Sequence, residues 1–132
     1  DPRQPGMVRR TPGPGPLTDV GWEIHPQGLL ALLRAAAART RLPIYVTENG
    51  LADAAGTRRA AFVRDHLLAI AHALREGVDV RGYFHWSLID NFEWAEGFAP
   101  RFGLYRVDYA TLRRSPNGAE EYGCLLREAR GA

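Results

Sequence analysis

Two short runs of strand character, each led in by an amphipathic helix, constrain this chain more than any other feature. The first, "LPIYVT" at 42–47, places Leu42, Ile44, Tyr45 and Val46 in a pattern suited to a pleated, water-free setting. Pro43 is tolerated near such a strand's start. The second, at about 78–86 within "VDVRGYFHWSL", is near-continuously apolar or aromatic. The spacing predicts a helix from Pro26 to Thr40, with Leu29, Leu30, Leu32, Leu33 and Ala36 on its apolar face. A second helix is predicted from Thr57 to Glu76, where Phe62, His66, Leu67, Ile70 and Leu74 recur at steps of three and four, with Gly77 as a left-handed cap. Residues 101–109 read as an extended segment, and "SPNGAEEYGCLLREA" as a closing helix. Alternating helices and strands predict a parallel sheet with right-handed crossovers. Two parallel strands can neither fill a sheet covered on both faces nor close a barrel, so part of a larger α/β architecture is expected.

Five of the nine prolines fall within residues 1–16, which predicts a loop or linker over 1–17 and one domain portion over 18–132. With 45% hydrophobic and 24% charged residues, the composition is that of a globular chain. The 17 basic residues are all arginines, scattered singly or in pairs against a net charge of +2. No nucleic-acid partner is therefore expected. Cys124 is the only cysteine, which excludes an internal disulfide and a cysteine-based zinc site. His25, His66, His72 and His85 lack metal-ligand spacing, and no metal or other cofactor is expected. No run approaches the ~20 apolar residues that span a bilayer. Without a signal-like apolar core at the start, the default expectation is a cytoplasmic protein with no membrane partner.

The chemistry-bearing residues cluster where the two strands end. The first run passes into Thr47, Glu48, Asn49 and Gly50, and Asn-Gly is turn chemistry, so Glu48 is expected where the strand stops. Such a carboxylate is either a solvated strand end or a group held at a pocket mouth. The second run passes into "HWSLIDNFEW", which carries Trp86, Asp90, Asn91, Glu93 and Trp94. Active sites of parallel α/β folds form at the carboxyl ends of strands. Indoles beside carboxylates and amides suit sugars, whose C–H faces pack on aromatic rings while their hydroxyls need polar partners.

"LPIYVTENG" and "VRGYFHWSLIDNFEWAEGFAPRFGL" together strongly resemble the C-terminal portion of family 1 glycoside hydrolases, the β-glucosidase family. The flanking "TDVGWEIHPQGL" and "VDYATLRRSP" resemble it too, so the likeness runs from Thr18 to about Tyr122. It implies the last two strands and flanking helices of a (β/α)₈ TIM barrel, from a retaining enzyme that hydrolyses small β-glycosides. By resemblance, Glu48 matches the nucleophile and Asn49 and Gly50 the turn that holds it. Glu93 matches the acceptor of the sugar's 4- and 6-hydroxyls, Trp86 the platform under the ring, and Trp94 an indole that reaches the 3-hydroxyl. The family's acid/base lies in an Asn-Glu-Pro motif that this sequence lacks. The expected partner is therefore the missing N-terminal barrel portion, and the chain alone is expected to be inactive. A catalytically incompetent truncation product or a sugar-binding remnant is the alternative. The short loop "LADAAGT" resembles a branch accepting glucosides, galactosides and fucosides, and Glu93 disfavours a 6-phosphosugar.

Other residues have plainer expectations. Asp90 and Asn91 are expected to scaffold a turn, and Phe92, Phe98 and Phe102 to pack or wall a pocket. His66 is expected buried and His72 exposed. His85, opposite Trp86 by alternation, should pack against a helix. Trp22 is expected to be structural, and Cys124 a small hydrophobe on the last helix.

Overall fold

The computed structural model describes residues 13–131. The loop predicted at 1–17 therefore falls outside the described residues over 1–12. The elements follow the predicted alternation: α1 Pro26–Thr40, β1 Ile44–Asn49, α2 Arg59–Arg75 and β2 Val80–His85, then a 3₁₀ turn Trp94–Glu96, β3 Tyr105–Val107, β4 Arg114–Pro116 and α3 Ala119–Gly131. Pro26 opens α1, where its missing N–H costs nothing. The start of α2 is capped from a distance: the Asp53 carboxylate accepts the backbone N–H of Arg58 at 2.9 Å and of Arg59 at 3.0 Å. Gly77 takes a left-handed φ of 86° beyond the helix end, as its position predicts.

β1 and β2 pair in parallel, with Val46 beside Tyr83 and Asn49 beside His85. Both helices pack on one face of this pair. Leu30 and Leu33 of α1, Val46 of β1, and Ala69, Ile70 and Ala73 of α2 enclose the main core with Val78. A smaller cluster of Leu51, Phe62 and Val63 packs with Tyr122 and Leu125 of α3. The opposite face of the sheet is bare, with Tyr45 55% and Phe84 58% exposed.

Four expectations need correction. β1 runs through Glu48 and Asn49 instead of stopping at Thr47, because the Asn49 carbonyl still accepts the Trp86 N–H at 3.0 Å and so extends the ladder. Leu32 and Leu74 are exposed, because α1 and α2 meet along a narrower stripe than their apolar residues offer. The final helix begins at Ala119, since residues 114–116 instead form β4 antiparallel to β3. Pro116 lacks a helical donor, and Asn117 turns its N–H to the Leu104 carbonyl at 2.7 Å. Cys124 is exposed and receives an Arg127 guanidinium N–H at 3.1 Å. Among the described residues, no helix is long and apolar enough to cross a membrane.

Candidate active site

β1 delivers Glu48 to its carboxyl end with the side chain exposed. Asn49, next in line, is fixed by Tyr83, whose hydroxyl donates to Asn49 Oδ1 at 3.0 Å. Burial pushes the Tyr83 phenol up from its ordinary range, so it stays protonated and able to donate. Gly50 then passes so close to β2 that a Cβ there would sit 1.7 Å from the Trp86 carbonyl oxygen. Only glycine permits that approach, and it brings the two strand ends together.

Trp86 leaves β2 with its indole Nε1–H donating to Glu93 Oε1 at 3.0 Å. That charge-assisted bond fixes the ring and the carboxylate in one arrangement. The loop between them is braced by Asp90, which is buried. Its Oδ1 accepts the Gly103 N–H at 2.9 Å, and its Oδ2 accepts the Val107 N–H at 3.1 Å and Arg101 Nη1–H at 3.0 Å. Asn91 donates to the Ser87 hydroxyl and the Ile89 carbonyl, both at 3.1 Å. Asp90 and Asn91 are thus scaffold, as expected. Phe92 packs edge-on to Phe98 at 5.2 Å, and Phe98 lies 4.7 Å from Tyr109. Trp94 begins the 3₁₀ turn at a φ of 47° and is 84% exposed.

A recess of about 520 Å³ is lined by Trp22, Glu48, Asn49, Gly50, Trp86, Glu93, Trp94 and Phe102. All five residues singled out from the sequence, Glu48, Asn49, Trp86, Glu93 and Trp94, line this one recess. Chemically it offers two carboxylates and three indoles around an open space, an arrangement able to stack a sugar ring and bind its hydroxyls.

Trp22 packs ahead of α1 as expected, 5.9 Å from the Phe102 ring, and it also lines the recess, 41% exposed, which the sequence reading missed. Its segment is tied to the loop after β1, since Asp19 N–H donates to the Ala52 carbonyl at 3.0 Å and Ala54 N–H to Asp19 Oδ2 at 2.7 Å. One sequence signal could have found it. A helix running antiparallel to the strand it precedes starts at that strand's carboxyl end, so residues just before α1 lie beside the site.

The histidines stand apart from this chemistry. His66 is buried and contacts the Phe62 carbonyl through Nδ1 at 2.7 Å, while His72 is exposed. His85 packs 6.4 Å from Phe62 and 6.0 Å from Tyr122, on the helix side as expected. Among the described residues, no group of three or more His, Cys, Asp or Glu could hold a metal ion.

The profile described as "Glycosyl hydrolase family 1" matches residues 4–127. The chain belongs to that family. A β-galactosidase of Sulfolobus acidocaldarius is 52% identical over 98 residues, which is 74% of this chain and 20% of that protein. A β-glucosidase of Agrobacterium sp. is 42% identical over 118 residues, covering 82% of this chain and 26% of the relative. The solved family 1 β-glucosidase from Thermotoga maritima superposes with a TM-score of 0.85 at 34% identity, over 97% of this chain and 31% of that one. The solved β-glycosidase from Pyrococcus horikoshii gives 0.79 at 44% identity, over 83% and 26% of the two chains. Family 1 β-glucosidases are TIM barrels, and this member, with its mixed helices and strands, spans between a fifth and a third of these relatives.

Proposed function

We propose that residues 18–132 of this family 1 member form the C-terminal part of a (β/α)₈ barrel in a retaining β-glycosidase. The observation that carries the proposal is the placement of Glu48 in one recess with the Trp86–Glu93 pair. Glu48 is the nucleophile. Its carboxylate attacks the anomeric carbon as the glycosidic bond breaks, giving a glycosyl ester and a leaving alcohol that takes a proton from a second carboxyl group. Deprotonated, that second group then draws a proton from water, whose oxygen displaces Glu48 and releases the sugar. The two carboxyl groups must stand about 5–5.5 Å apart in such an enzyme. The second one comes from the N-terminal barrel portion, this chain's partner. No metal or organic cofactor enters the cycle.

Trp86 underlies the sugar ring, Glu93 receives its 4- and 6-hydroxyls, and Trp94 and Asn49 complete the polar and stacking contacts. Glucosides and galactosides differ at the 4-hydroxyl, and both occur in the names of this chain's relatives. Either sugar is therefore a candidate substrate.

The test assembles the enzyme from this chain and a family segment carrying the Asn-Glu-Pro glutamate. A 2-deoxy-2-fluoro glycoside should add one sugar mass to Glu48. Glu48→Gly should abolish hydrolysis of aryl β-glucosides, with partial rescue by azide. Normal turnover in Glu48→Gly without azide would refute the assignment. Sugar binding with neither turnover nor trapping would favour the reading of a remnant that binds but does not cleave.

A further inference from the structure

Arg59, the first residue of α2, is the largest of the fully buried side chains. A guanidinium removed from water must place its donors on acceptors or lose their hydration without return. Nη1 donates to the carbonyls of Leu51 at 3.1 Å and Phe102 at 2.9 Å, and Nη2 to those of Asp53 at 3.0 Å and Arg101 at 2.9 Å. These four carbonyls belong to two separate segments. Leu51–Asp53 directly follows Glu48, Asn49 and Gly50. Arg101–Phe102 closes the excursion that carries Trp86, Glu93 and Trp94. The segments also touch through the Asp53 N–H, which donates to the Arg101 carbonyl at 3.0 Å.

The choice of residue follows from the acceptor geometry. A planar guanidinium presents donors in a rigid fork that meets acceptors on two sides at once. A lysine ammonium has three donors on one atom and cannot span the same four oxygens. Asp53 supports the arrangement from the other end, since its buried carboxylate holds the backbone N–H of Arg59 at 3.0 Å.

We infer that Arg59 is a positioning residue: it clamps the loop behind Glu48 to the loop behind Glu93 and so fixes the spacing of the two carboxylates in the recess. Its value to catalysis rests on the proposed glycosidase reading, because a misplacement of about 1 Å can cost 100-fold in rate. The clamp itself rests on geometry alone.

The test is amide hydrogen exchange on the full 132-residue chain. The N–H groups of Asp53 and Ser87 lie on different loops and donate to the Arg101 and Phe102 carbonyls that Arg59 also grips. In the unmodified protein at low urea, both should open with one free energy and one urea dependence, as a single cooperative unit. Arg59→Lys should speed exchange at both by ~10-fold or more while Ala69 and Ile70 in α2 change by less than ~2-fold. The Trp86 indole N–H resonance should move in the same variant as its bond to Glu93 loosens. Independent opening of the two amides in the unmodified protein would overturn the clamp, and decides the matter even where Arg59→Lys does not fold. So would unchanged exchange at Asp53 and Ser87 in a folded variant, or acceleration spread evenly through α2. Failure of Glu48 to trap the fluorosugar would remove the catalytic meaning and leave the exchange result standing, so the two failures are distinguishable.

Discussion

Mild acid should weaken this protein through His85. Burial is the main cause that pulls the imidazole from its ordinary 6.5 down to about 4, the nearby Arg59 charge adds to it, and the Phe102 backbone offsets part. Both ring nitrogens are buried without a partner in hydrogen-bonding geometry, so a charged ring would have nothing to compensate it. Above 6.5 the ring is neutral folded or unfolded, and the site costs nothing extra. As pH falls from 6.5 toward about 4, the unfolded chain binds a proton that the folded one refuses, so stability falls. At about 1.4 kcal/mol per pH unit, the full window is worth up to about 3 kcal/mol. His66 is displaced in the same direction, chiefly by burial, and adds to the loss. The carboxylates held low by hydrogen bonds, Asp19, Glu76, Asp79 and Asp108, lose their stabilisation only as pH falls through their ordinary values, 4.5 for Glu76 and 3.8 for the aspartates. The decline between 6.5 and 4.5 therefore belongs to the histidines.

Urea unfolding followed by circular dichroism at about pH 7.5, 6 and 5 measures this directly. Stability should drop by about 2 kcal/mol between the extremes, a large share of the 5–15 kcal/mol typical of a domain. His85→Phe should remove most of that dependence, because a phenyl ring fits between Phe62 and Tyr122 and has no proton to refuse. A flat profile, or one equally steep in His85→Phe, would refute the reasoning.

In the assembled enzyme, Glu93→Gln should lower kcat/KM by about 10–100-fold, the worth of a charge-assisted hydrogen bond, with a penalty that depends on the sugar's 4-hydroxyl. Kinetics on glucosides, galactosides and their 4-deoxy forms check this, and total loss with every sugar would make Glu93 an acid/base instead. Gly50→Ala should cost about 1–3 kcal/mol in urea unfolding, because the new methyl meets the Trp86 carbonyl and the ladder bond from Trp86 to Asn49 prevents retreat. Asp90→Asn should cost about 2 kcal/mol or more by the same measurement, since it leaves Arg101 without its carboxylate and alters the acceptors for Gly103 and Val107.

What was legible in the sequence was local. The periodicity of Phe62, His66 and Ile70 gave α2 its buried face, Gly77 its cap, and the apolar runs their strands. The recess residues were legible because strand ends carry chemistry in parallel folds and because the two motifs occur together. What escaped was set by contacts distant in sequence. Trp22 reaches the recess because Asp19 is hydrogen-bonded to Ala52 and Ala54, more than thirty residues away. β1 outran its turn signal because β2 continued to supply a donor at Trp86. β4 was hidden because its three residues carry no alternation to detect, and only the pairing with Tyr105–Val107 makes them a strand. Leu32 misled because an apolar helix face states what could be buried, while the neighbours present decide what is.

The two halves of the recess depend on side chains to different degrees, and this bears on how the protein works. Glu48 rides on a strand whose backbone is fixed by the ladder to β2 and by Tyr83. Glu93 rides on a loop whose first part is tied by backbone bonds, from Ser87 N–H to the Phe102 carbonyl, Tyr105 N–H to the Leu88 carbonyl and Asp90 N–H to the Tyr105 carbonyl. Beyond them its place depends on side chains, the buried Asp90 and Arg59 and the partly exposed Trp86. A strand holds position through repeated backbone bonds, so single side-chain losses displace it little. A loop that relies on buried charged side chains beyond its backbone bonds loosens when one of them is lost, because its partners stay buried and unpaired. Substitutions that disturb the site from outside the recess should therefore concentrate on Asp90, Arg59 and Arg101. They should fall hardest on recognition by Glu93 and leave Glu48 in place.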